Sequence, residues 1–343
     1  MAWLSVRMRS AAAPALAALA LALAPTAAHA AIPAKLAYVT GLAGTHPRVH
    51  VANGDGSGTT TIGTGVDALI SPDGATVAIV TPYTRRGTSL VVRPATGGAA
   101  RTLVRTSDSI GPLTWSPDGT LLAVVINTRQ LVVIDVASGA RRLVARGSIQ
   151  GASFSPDASR IAYASSVLPR LSAHVDVHVA DVDGSGARRI THDGRSLWPV
   201  WGPTRIAFSH ERLRRADAPV YQLRTMRPDG SGVRQLTHTR VPRLLSGLTA
   251  TAWSADGSRL LAEYGGQDTS EAWTVDVASG RAHDLTGRFD GVIGRGLSAD
   301  GRTVLVQRGY FDDPRHQSVA TIAFGGGSAT VLVRHGSAPS WSG

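Results

Sequence analysis

Six histidines, His46, His192, His210, His238, His316 and His335, fall in segments that separate apolar runs, and the chain has no cysteine. Without thiolate, any metal must be held by imidazole or carboxylate. His192, His210, His238 and His316 form the candidate ligand set for a divalent cation. A second chemistry is written in arginine. The segment "SHERLRRADAP" (209–219) carries Arg212, Arg214 and Arg215, and "THTRVPRLLSGLTAT" (237–251) carries Arg240 and Arg243. A guanidinium fork matches carboxylate or phosphate bidentately, so these five residues are candidates for gripping an acidic ligand. The segment "GYFDDPRHQ" adds Tyr310 and the one adjacent acidic pair, Asp312 and Asp313. Nucleophilic catalysis has less support, because no G-x-S-x-G elbow occurs and there are only three glutamates, Glu211, Glu263 and Glu271.

Whatever places these groups is repetitive. Near-copies of one motif recur as ISPDGATVAIV (70–80), WSPDGTLLAVV (115–125), FSPDASRIAYA (154–164), WGPTRIAFS (201–209), WSADGSRLLAEY (253–264) and LSADGRTVLVQ (297–307). In "LTWSPDGTLLAVV" (113–125), Pro117 presets φ and Gly119 can take φ > 0. The Asp118 carboxylate accepts a backbone N–H, which closes a tight hairpin. The apolar run that follows reads as a strand buried on both faces, and Trp115 as a packing residue whose indole N–H needs an acceptor. A second motif of the type LVVIDVASGARRLV alternates with the first. Asn53–Gly58 and Asp181–Gly186 superficially resemble calcium loops, but Thr64 and His192 stand where a bidentate Glu is required, so both read as hairpin turns.

The ends of the chain complete the pattern. AKLAYVT (34–40) is the second half of the first motif, and APSWSG (338–343) is its first half. Equivalent apolar positions fall at Leu36, Val77, Leu122, Ile161, Ile206, Leu260 and Val304, at steps of 39 to 54 residues, which matches a four-stranded propeller blade. The expectation is an all-β propeller of seven four-stranded blades, with six as the alternative, closed by pairing of the N- and C-terminal segments. Strand direction alternates within each blade. Loops between second and third strands therefore share one face with the crossovers between blades, and the six histidines lie on that face.

The W-S-P-D-G-x-x-I-A-Y pattern, paired with D-x-D-G-S-G-x-x-R-x-[IL]-T, resembles the TolB-type, PD40 (WD40-like) β-propeller repeat over residues 34–343. The resemblance implies the propeller fold and speaks little to function. Oligogalacturonate lyases resemble the same class, and through them the histidines imply a metal site of carbohydrate-active enzymes as the alternative function.

Residues 1–30, with Arg7 and Arg9, an Ala/Leu-rich run and Ala28-His29-Ala30, read as an export signal, leaving 31–343 as a single propeller domain. The protein is then extracytoplasmic, whether secreted, periplasmic or attached to the envelope. No later segment has the length and apolarity of a membrane span. Losing Arg7 and Arg9 takes the 35 basic residues to 33 against 24 acidic, a net of +9, and Lys35 is the single lysine. The arginines are spread along the chain, which argues for a basic surface rather than a nucleic-acid partner. The expected function is noncatalytic binding of a protein or peptide partner, an acidic one included, at the loop-rich face, with no cofactor. The alternative is a lyase or hydrolase using a divalent metal. Oligomeric state is left open.

Overall fold

The computed structural model describes residues 34–342, apart from 43, 45, 167–173, 213–218, 242–244, 267–269, 286–290 and 310–315. Residues 1–30 therefore lie outside it. Among the described residues there are 28 strands and no helix, sorted into seven antiparallel groups of four. The second to seventh groups span 67–106, 110–146, 148–189, 196–235, 245–284 and 292–334. The fifth and sixth are linked by a parallel bridge between Tyr221 and Gly247. The first group holds Lys35–Thr40, Arg48–Asn53 and Thr60–Thr64, and takes its innermost strand, Gly336–Trp341, from the other end of the chain. Leu36 sits opposite Trp341 and Thr40 opposite Gly336, while Ser342 N donates to Lys35 O at 3.0 Å. Each sheet packs on the next, and the seventh packs on this first one.

The recurrent Ser-x-Asp turn has one mechanism throughout. Ser116 Oγ donates to Asp118 Oδ1 (2.5 Å), Asp118 Oδ1 accepts Thr120 N (3.1 Å), and Ser116 Oγ accepts Leu121 N (2.8 Å). The same three bonds recur around Asp73, Asp157, Asp256 and Asp300. These bonds to the ionised form hold the Asp157 and Asp256 carboxyls down at about 2. The strands that follow, such as Leu121–Ile126, are buried along most of their length, as an element packed on both faces must be. Trp115 Nε1 reaches back to Leu69 O (3.0 Å) in the preceding sheet, and Trp253 Nε1 to Val200 O (2.9 Å), so each indole ties two sheets together. The two calcium-like segments are hairpin turns, with Gly56 N bonded to Asn53 O and Gly184 N to Asp181 O.

Symmetry is broken in the fourth to sixth sheets. Their outer strands, Arg188–Arg189, Arg234–Gln235 and Ala282–Asp284, have two or three residues where the other sheets have five or six. Beyond the short strands of the fourth and fifth sheets the chain turns back onto the third strand, where Thr191 Oγ1 meets Val177 N and Thr237 Oγ1 meets Leu223 N.

Candidate functional site

The early exit requires something to satisfy the backbone that the missing outer strand would have paired. In the fourth sheet Thr191 does this. Its Oγ1 accepts Val177 N (2.9 Å) and donates to Asp176 Oδ1 (2.8 Å). Asp176, buried at the start of Val175–Asp181, also accepts Gly194 N (3.1 Å) and pairs with Arg189 Nη2 (2.8 Å). The fifth sheet repeats the device with a neutral side chain. Thr237 Oγ1 accepts Leu223 N (3.0 Å) and donates to buried Gln222 Oε1 (2.9 Å). Gln222 further accepts Thr239 N (3.1 Å) and donates to Thr239 O (2.7 Å). In the sixth sheet Glu271 holds the equivalent position, buried and accepting Trp273 Nε1 (3.0 Å). Three consecutive sheets thus carry a buried polar residue at the same place on one face.

Between the first two lies a charged cluster. Asp193, on the crossover between the fourth and fifth sheets, accepts His210 Nε2 (2.9 Å), Arg195 N (3.1 Å) and Ser196 Oγ (2.9 Å), with Arg224 Nη1 at 3.8 Å. The His210 bond, assisted by those to Arg195 and Ser196, outweighs partial burial and holds the Asp193 carboxyl far below the usual range. His210 itself is buried, and its Nδ1 has no hydrogen-bond partner among the described residues. In the same sheet Trp198 and Tyr221 pack edge to face, ring centroids 5.0 Å apart. Three ion pairs between described residues, Arg189–Asp176, His210–Asp193 and Arg224–Asp193, all fall in this sector.

The expected site residues meet this geometry unevenly. His210 is not in a loop. It lies inside the strand Ile206–Arg212, opposite Gln222, because the strand runs several residues further than the repeat predicts. Arg212 ends that strand and is exposed. Arg240 is exposed on the crossover anchored by Gln222, and the next innermost strand starts at Leu245, within the segment read as an insertion. Arg214, Arg215, Arg243, Tyr310, Asp312 and Asp313 lie outside the described residues. His192, His238 and His316 are exposed. Among the described residues no group of three or more His, Asp or Glu side chains is placed to hold a metal ion, and His210 is committed to Asp193. Asp176, Asp193, Gln222 and Arg224 escaped the sequence reading. For Asp176 and Gln222 the one signal is a 15-residue spacing, from Asp176 to Thr191 and from Gln222 to Thr237; the same spacing in the sequence separates Glu271 from Thr286, which lies outside the described residues.

The sequence matches no protein-family model and no curated protein. Solved structures do match. TolB from Acinetobacter baumannii aligns with a TM-score of 0.55 at 16% identity, over 87% of this chain and 79% of that one. The fold is a TolB-type, WD40-like β-propeller. The propeller domain of the trilobed protease from Pyrococcus furiosus gives a TM-score of 0.65 at 14% identity, over 88% of this chain and 93% of that one. That domain is described as having an open velcro topology, whereas here the two terminal strands pair. An oligogalacturonate lyase in complex with manganese gives 0.56 at 17% identity, over 78% and 76% of the two chains. Likeness at these identities is likeness of fold.

Proposed function

We propose that the protein is an exported, noncatalytic propeller that binds a protein or peptide partner on its loop-bearing face, taking an acidic segment there. The observation that carries this reading is the anchored crossover of the fifth sheet. Buried Gln222 holds Thr237 and Thr239, and Arg240 stands exposed one residue on, across the same face from exposed Arg212. A guanidinium on a fixed base binds carboxylate with less loss of freedom than one on a loose loop. Aromatic surface from Trp198 and Tyr221 lies in the same sector. Export rests on the character of residues 1–30 and on the likeness to TolB.

The test uses a fluorescent oligoglutamate peptide as probe, with binding read by anisotropy near physiological salt. Arg212→Glu with Arg240→Glu should weaken binding at least tenfold while leaving the melting temperature unchanged. Equal binding by wild type and variant would remove the assignment. Stoichiometric manganese, zinc or calcium in the purified protein, together with cleavage of acidic oligosaccharides, would replace it with the enzyme reading.

A further inference from the structure

A second place on the same face, in the third sheet, is built for a charged ligand and shares no residue with the sector above. The hairpin after Leu121–Ile126 turns through Asn127 and Thr128, both in the left-handed region at φ 54° and 52°. Asparagine adopts this readily, but a β-branched residue there is strained. Hydrogen bonds on both sides hold the turn. Asn127 N donates to Ser109 O (2.8 Å) and Arg129 N to Ile126 O (3.0 Å), while Asn127 Nδ2 donates to Asp108 Oδ1 (3.2 Å). From the other side, Gly147 N donates to Arg129 O (3.0 Å) and Ile149 N to Thr128 O (2.8 Å). The crossover through Gly147 is itself seated closely on the fourth sheet. A Cβ at Gly147, whose φ is 135°, would lie 2.8 Å from Ser165 Oγ and 2.9 Å from Ser166 O.

Between the fastened hairpin and the crossover lies a cleft of about 360 Å³, lined by Thr128, Arg129, Gln130, Arg146, Gly147 and Ser148. The lining offers two guanidinium groups, an amide and hydroxyls, and no carboxylate. Among the described residues neither Arg129 nor Arg146 has a side-chain partner, and the nearby acid, Asp108, is bonded to Asn127. Two unpaired cations on a fixed frame around a polar cleft are complementary to an anion of a few heavy atoms.

We infer that this cleft binds a small oxyanion, a carboxylate or phosphate group, gripped by Arg129 and Arg146 with the Gln130 amide and Ser148 hydroxyl as further donors. The strained turn has a role in this. It keeps Arg129 at the lip and so reduces the ordering required on binding. The site does not depend on the peptide-binding reading and stands or falls separately.

Isothermal titration of the full chain with citrate, and separately with inorganic phosphate, at low ionic strength tests it. Wild type should saturate with one or both anions, and the stronger of the two identifies the group. Arg129→Gln with Arg146→Gln should weaken binding at least tenfold, with an unchanged urea midpoint. Arg85→Gln with Arg86→Gln, which removes the same charge from the exposed loop of the second sheet, should stay within twofold of wild type. Failure of both anions to saturate wild type would overturn the site, as would equal weakening by the two double variants, since bulk charge would then account for the affinity.

Discussion

Ser116 and Asp118 show why a residue type that does chemistry elsewhere does none here. Each lone pair of the Asp118 carboxylate that faces the turn is occupied by the chain itself, and four sister turns use the same bonds. This part was legible in the sequence, because a turn is local and its donors lie within five residues. The depressed Asp157 carboxyl, at about 2 against an ordinary 3.8, contributes stability that is present above the ordinary value and lost as pH falls towards 2. One copy departs from the pattern. Gly74, Gly119, Gly257 and Gly301 take φ near 70° at the last turn position, whereas Ala158 adopts 58° there. An L-residue in this region is disfavoured by roughly 1–2 kcal/mol, partly offset by the greater freedom glycine loses on folding. Ala158→Gly should therefore stabilise the protein by about 1 kcal/mol, seen as a higher urea midpoint. An unchanged or lower midpoint would mean that the turn relaxes around Ala158.

The shortened outer strands show what a strand needs when its neighbour is missing. Thr191 and Thr237 substitute side-chain oxygen for the absent backbone, and Asp176 and Gln222 complete each hydroxyl's bonding. Glu271 holds the third such position as an acid. Burial pushes its carboxyl up, aided by Asp284 and opposed by the Trp273 indole. A raised folded-state value means that stability is full below the ordinary glutamate range and declines as pH rises through the folded-state value. Glu271→Gln keeps an oxygen for Trp273 and removes that cost. The variant should melt above wild type at pH 7 and together with it below about pH 4. Melting curves that stay parallel at every pH would show that folding does not raise the Glu271 carboxyl. Asp176 and Gln222 each lie 15 positions from the threonine they bond, which sits beyond the short outer strand, so only the folded chain shows that they touch.

At the scale of the molecule, the joint between the chain ends packs against the sheets on either side, the second and the seventh. Gly336–Trp341 pairs with Lys35–Thr40 and also meets the second sheet, where Ser340 Oγ accepts Ile70 N (3.0 Å) and donates to Ala68 O (3.1 Å). Deleting Ala338 to Gly343 strips this strand from the fully buried Leu36 and leaves an unpaired edge. The truncated chain should lose its cooperative thermal transition and aggregate; a melting curve matching the intact protein would count against the joint. Repetition by itself determined the strand order, the turn chemistry and this meeting of the ends, because each follows from periodic burial and from bonds only a few residues long. Tertiary structure alone decided that His210 turns inward to Asp193, and that Arg129 and Arg146 share a cleft. Both depend on where crossovers between sheets come to rest, and that is set by packing among residues far apart in the chain.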